Sequence, residues 1–191
     1  RPFSVSLPSA AAIDSLPLRA APGCASKRSV RAPHWASTCA MPRARPGVYF
    51  AVRSLIQPGQ KVVLSPYTIA DVINMVIAAG GVPVFADVER DTCNIDPEEI
   101  ERLVDGDTGA VMVTHLHGMA CDVPRIAEIC RHSGVPLIED AAQAFDAKID
   151  GRPVGTFGDA GVFSFGMYKH VNAFHGGMVV ARDAGLCERI R

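Results

Sequence analysis

Short apolar runs alternate with helix-patterned segments from Val48 to Glu139, and this alternation leaves few folds open. Val48 to Ile56 (VYFAVRSLI) has helical spacing and is stopped by Pro58-Gly59. KVVLS reads as a short buried strand. Ile69 to Ala79 is a second predicted helix, closed by Gly80-Gly81. VPVFADV is the next strand. Asp96-Pro97-Glu98-Glu99 opens a helix with a capping acid, a proline at the first helical position and acids in the first turn. Gly109 to Thr114 is a strand, Asp122 to Ser133 a helix with Gly134 just past its end, and Val135 to Glu139 a strand. Such a chain forms a mostly parallel sheet covered by helices on both faces, a three-layer αβα arrangement of the α/β class. Right-handed crossovers bring the strand ends to one edge, where ligands bind. KIDGRPVG, with Asp150-Gly151 at its centre, predicts a hairpin.

Two ionisable residues stand at strand ends. Asp140 follows the run Val135 to Ile138, and Lys169 lies five residues beyond Ser164 in the run Ala160 to Phe165. Pyridoxal phosphate chemistry needs such a pair. A lysine amine forms a Schiff base with the cofactor aldehyde, and an aspartate keeps the pyridine nitrogen protonated so that the ring accepts electrons. Taken alone, each has an ordinary reading: Lys169 as a surface lysine, Asp140 as the cap of a helix through Ala141 and Ala142.

Linked motifs carry a resemblance. IEDAAQA, GRPVGTFGDAGVFSF, the lysine five residues after Ser164, and GGMVV follow one another in order. Upstream stand PGQKVVLSPYTIADVINMVIAAGGVPVFADVERDTCNID and HLHGMACDVPRIAEICRHSGVPLIEDAAQ. From about Gly47 to Arg191 the chain resembles the DegT/StrS-type nucleotide-sugar aminotransferases, a branch of the fold-type-I pyridoxal phosphate enzymes. Several motifs in the correct order are far more specific than one short pattern.

The resemblance implies a role for each site residue. Lys169 would bond the cofactor aldehyde and shuttle the proton, and Asp140 would face the pyridine nitrogen. Gln143, three residues on, would contact the cofactor near its phenolic oxygen and ring face. Ser164 would hydrogen-bond the phosphate. The ordinary readings are an exposed polar residue for Gln143 and a locally bonded strand serine for Ser164, while Glu139 reads as structural. Two departures stand out. The family's Gly-Thr at the start of the first helix, where backbone N–H groups cradle phosphate, is replaced here by RARPGVYFAV, so that Arg45 or Arg43 would have to substitute. The aromatic ring that often covers the cofactor falls on Ile69, with Tyr67 out of register. His115, His117 and Cys121 match no strong zinc pattern, and no metal is expected.

Residues 1–46 differ from the rest. They are rich in Arg, Ser, Ala and Pro, with Asp14 the only acid, and read as a transit-like or disordered leader, the second being preferred. Residues 47–191 are expected to be the large domain of the family in part, since the family's smaller C-terminal domain has no counterpart here. A net charge of −1 gives no global basic field for nucleic acid. No apolar run nears the ~20 residues that span a bilayer. Six cysteines without framework spacing suggest reduced thiols and a cytoplasmic protein. The expected activity is amino transfer from glutamate to a nucleotide-linked keto sugar, by a homodimer when full length. The alternatives are a related pyridoxal phosphate enzyme of sugar modification or a non-catalytic remnant.

Overall fold

A computed structural model describes residues 37–191. Their seven-stranded sheet has the order β1 (Ser37–Met41), β9 (Gly177–Ala181), β8 (Ala160–Ser164), β5 (Leu137–Asp140), β4 (Thr108–Thr114), β2 (Lys61–Leu64), β3 (Val82–Phe85). Strands β8, β5, β4, β2 and β3 run parallel, and β9 runs against both its neighbours. The hairpin forms as β6 (Lys148–Ile149) and β7 (Arg152–Pro153). Its two turn residues, Asp150 and Gly151, both have positive φ (50° and 78°), as a tight two-residue hairpin turn requires.

Alternate residues of the strands feed two cores. Val62, Leu64, Met112, Ile138 and Val162 pack under α1 (Ala44–Leu55), α2 (Ala70–Ala78) and α5 (Ala184–Ile190). Val63, Val111, Val113 and Leu137 pack under α3 (Pro97–Leu103) and α4 (Val123–Ser133). This is the period-two alternation of a sheet covered on both faces. Caps fall where the side chains predict. Asp96 accepts from the Glu98 N–H, Asp122 from Arg125 and Asp183 from Leu186. Gly134 closes α4 at φ 67°.

The chain order β2, β3, β4, β5 sets the position of the site. From β2 the chain steps outward to β3, then crosses back over β2 to β4 and continues to β5. The direction reverses beside β2 and β4, so the crevice opens at the C-terminal ends of the central strands. Asp140 lies there, paired with Thr114 on one side and Val162 on the other.

The expected leader needs correction at its C-terminal part. Residues 37–41 form β1, in register with β9 from Ser37↔Ala181 to Met41↔Gly177. Residues 44–46 form the first turn of α1, which starts four residues before Val48 because Pro46, lacking an N–H, is well suited to a first turn. The rest of the leader reading lies outside the described residues.

Glycine lets α1 approach the sheet. A Cβ on Gly177 would stand 2.6 Å from the Ala44 nitrogen and 2.8 Å from the Arg43 carbonyl carbon. Gly177 pairs with Ser164, so this close approach brings the N-terminus of α1 next to that serine. Gly177→Ala should therefore cost about 1–3 kcal/mol, the usual penalty for overpacking. Urea denaturation would measure it, and an unchanged midpoint would contradict the close approach.

Candidate active site

Asp140 ends β5 and is 5 % exposed. The chain turns sharply after it: Ala141 N–H donates to Val162 O at 2.9 Å, and Ala144 N–H to Ala141 O at 3.1 Å. No helix runs through Ala141 and Ala142. Asp140 Oδ1 accepts from Ala142 N–H at 3.0 Å, so the carboxylate caps a turn rather than a helix. Burial pushes its pKa up, opposed in part by that N–H and by the charge of Lys169. A carboxylate in this setting is short of positive charge.

A cavity of about 290 Å³ opens in front of Asp140. Ser164 and Lys169 line it too, so three of the four expected site residues meet there. Lys169 is half-buried in the segment after β8, and its N–H donates to Gly166 O at 3.0 Å. The other two lysines of the described residues are engaged by acids, Lys61 by Asp105 and Lys148 by Asp146, while Lys169 has no ion-pair partner among the described residues. On the far side stands the N-terminus of α1, where Arg43, Ala44 and Arg45 line the cavity. Arg43 has no side-chain capping bond to offer, and the first turn holds no acid. The helix therefore presents free N–H groups and its positive end to the cavity. Arg45 is drawn aside into an exposed ion pair with Asp71 at 2.7 Å. Ile69 lines the cavity where the aromatic ring was in doubt. A wider hollow of about 910 Å³ beside α4 holds none of these residues.

Gln143 is placed differently. It is not among the cavity-lining residues, and its Oε1 accepts from His117 N–H at 3.0 Å. His117 sits in a tight turn with φ 54°, a conformation unusual for a residue with a side chain. Glu139 points to the opposite face of the sheet, where it is fully buried and collects four donors. This agrees with its structural reading. His115 bonds to Glu139 and to Cys121. Sequence reasoning named Arg43 and Arg45 as substitutes at the phosphate site but missed Ala44 as a cavity wall, because no capping side chain marks the start of α1.

The family model for the DegT/DnrJ/EryC1/StrS aminotransferase family matches residues 47–191. The chain belongs to this family. Among curated members, GDP-perosamine synthase of Vibrio cholerae is 36 % identical over 128 residues, covering 67 % of this chain and 35 % of that protein. The UDP-N-acetyl-3-dehydro-alpha-D-glucosamine 3-aminotransferase of Acidithiobacillus ferrooxidans is 38 % identical over 143 residues, covering 74 % and 39 %. Solved structures of similar fold agree. DesI with its TDP-sugar product superposes with a TM-score of 0.77 at 36 % identity, covering 83 % of this chain and 40 % of that one. The Bacillus subtilis protein ntda with bound cofactor PMP gives 0.76 at 26 % identity, covering 82 % and 36 %. The chain thus spans well under half the length of these relatives.

The cavity's donor set fits the family's cofactor, pyridoxal phosphate. A buried carboxylate lacking positive charge suits a protonated ring nitrogen, a lysine free of acids suits an aldehyde, and a serine beside a helix N-terminus suits a phosphate.

Proposed function

We propose that this chain carries the catalytic centre of a pyridoxal phosphate-dependent aminotransferase that moves an amino group, with glutamate as donor, onto a nucleotide-linked keto sugar. The observation that carries the reading is the meeting of Asp140, Ser164 and Lys169 in one cavity at the C-terminal edge of a parallel sheet. Relatives that are named as sugar aminotransferases support the substrate class.

Each residue has a task. Asp140 holds a proton on the ring nitrogen by pairing its carboxylate with it. Ser164, the N–H groups that open α1 and the Arg43 guanidinium hold the phosphate. Lys169 anchors the aldehyde through its amine until an amino substrate displaces it. Its freed amine would then take the proton from the donor's α-carbon, and with one water entering to supply the keto oxygen the donor would leave as a keto acid. Bound pyridoxal phosphate supplies the electron sink for this proton transfer. In the second half the same lysine would move the proton the other way, the keto oxygen would leave as water, and an amino sugar would be released.

Met167, Tyr168 and Phe174 are 52, 94 and 70 % exposed at the cavity rim. Large apolar side chains left bare beside a reaction site suit a homodimer in which a second subunit covers them. No helix among the described residues is long and apolar enough to cross a membrane. The five cysteines among them are free thiols, in keeping with a cytoplasmic protein.

The test adds pyridoxal phosphate and glutamate to the purified protein and supplies a panel of nucleotide-linked keto sugars. Amino-sugar product is expected, and its absence with every sugar would sink the reading. The departure at α1 gives a second expectation. Arg43→Ala should weaken cofactor binding about tenfold, the worth of one charge-assisted contact, and Arg45→Ala by less, because Asp71 already engages that side chain. Fluorescence titration with pyridoxal phosphate would read both, and the reverse order would reassign the phosphate contact to Arg45.

A further inference from the structure

A single buried carboxylate joins the chain segments that deliver the cavity's residues. Glu139 is 0 % exposed. Its Oε1 accepts from the N–H groups of Phe157 and Gly158, both at 2.6 Å. Its Oε2 accepts from Gly155 N–H at 2.6 Å and from His115 Nε2 at 3.1 Å. Four donors on two oxygens satisfy a charge held away from water.

His115, also 0 % exposed, is fixed from its other side. Cys121 N–H points at Nδ1 from 3.3 Å, which makes Nδ1 an acceptor. The proton therefore sits on Nε2 and is given to Glu139. The main-chain N–H of His115 donates to Asp140 O at 3.1 Å. One residue at the end of β4 thus grips Asp140 by its backbone and Glu139 by its side chain. Successive residues of a strand face opposite sides, so Glu139 reaches under α3 and α4 while Asp140 faces the cavity beneath α1. The turn that Glu139 binds, Gly155 to Gly158, leads directly into β8, which carries Ser164 and then the Lys169 segment.

We propose that Glu139 is a positioning residue for the reaction: with His115 it locks the ends of β4 and β5 to the lead-in of β8 and so sets Asp140 against Lys169. This rests on the pyridoxal phosphate reading above. Glu139→Gln is nearly isosteric but turns one acceptor oxygen into a donor, which must then face an N–H. A tautomer change in His115 cannot relieve the conflict, because Cys121 N–H already occupies Nδ1. The strand ends have to shift, and displacement of reacting groups by even 1 Å can cost on the order of 100-fold in rate.

The experiment compares wild type with Glu139→Gln, His115→Leu and His115→Gln, and with Ile126→Val as a stability control in the same core. Three quantities are read: the thermal midpoint, the Kd for pyridoxal phosphate and the pH midpoint of the visible band of the bound cofactor. That band reports the environment set by Asp140 and Lys169, and a purely structural loss would leave it in place. Glu139→Gln should weaken binding and displace the pH midpoint, while Ile126→Val lowers the thermal midpoint alone. His115→Leu should behave as Glu139→Gln does, and His115→Gln, which keeps a donor at similar reach, should restore both readings toward wild type. The proposal is overturned if Glu139→Gln keeps the wild-type Kd and pH midpoint. It is equally overturned if the two His115 variants match each other, and that pair decides the matter should Glu139→Gln not fold. A wild-type protein that binds no pyridoxal phosphate at Lys169 removes the functional reading and this proposal together. Cofactor binding with an unaffected Glu139→Gln removes the proposal alone.

Discussion

Replacing Lys169 with alanine should reduce covalent capture of pyridoxal phosphate to background. Borohydride added to the wild-type protein with its cofactor should leave a pyridoxyl group on one peptide, the one spanning Lys169. Each of the other lysines among the described residues is a poorer nucleophile for a physical reason. Lys61, half-buried like Lys169, is hydrogen-bonded to Asp105, which holds its pKa above the usual lysine value and keeps it protonated. Lys148 is paired with Asp146 at 2.9 Å. Lys169 is half-buried, free of acids among the described residues, and opens onto the cavity that Asp140 faces. A Schiff base forms through an amine that is free to reach the aldehyde, so these settings separate the three. Mass mapping that finds the label on Lys61 or Lys148 would remove Lys169 from its role.

The Asp140→Asn variant should lose on the order of 10²–10³-fold in the rate of the glutamate half-reaction, the scale seen when one preorganised electrostatic contact is removed. Cofactor occupancy should fall far less, because Ser164, Arg43 and the α1 N–H groups still hold the phosphate. A neutral amide cannot keep the ring nitrogen protonated. The same substitution should make the cofactor-free protein more stable at neutral pH. Burial raises the pKa of Asp140 above its value in the unfolded chain, so the folded state binds the proton more tightly. Ionisation therefore weakens the fold as pH rises from the unfolded pKa through the folded one, and the penalty is complete above both. Asparagine carries no such penalty. Stopped-flow rates and a melting curve of the apoprotein test the two halves of this trade. Near wild-type rates would take Asp140 away from the ring nitrogen, and a lower apoprotein melting temperature would contradict the burial cost.

The parallel core was readable because its elements carry their own punctuation. Asp96-Pro97 and Asp122 cap helices, Gly134 ends one, and the apolar runs of β2, β4 and β5 are too short for buried helices. The lysine, aspartate and serine were readable for a different reason: each alone has an ordinary reading, and the ordered motifs around them carry the resemblance that implies their roles. Three features were not. Strand β1 is only STCAM, set in a stretch whose composition resembles a leader, and its pairing with β9 spans more than a hundred residues of sequence. The segment after Asp140 has helix-forming alanines, yet the Ala141 N–H is drawn to Val162 and the chain turns instead. Gln143 has the spacing for the cavity, but the strained turn at His117 offers it an N–H to satisfy. In each case a long-range hydrogen bond overrides a local preference, and local preference is all that spacing can report.

The pairing of β1 with β9 closes one side of the sheet. The family-model match begins at Gly47, after β1 is complete, so that match leaves out a strand on which the sheet depends. Strand β9, with the sequence GMVVA, would otherwise offer an unpaired apolar edge, the kind of surface on which foreign strands add. Five residues that lie before the family match act as its selvedge. They hold that edge closed and keep in place the glycine against which the N-terminus of α1 rests at the cavity.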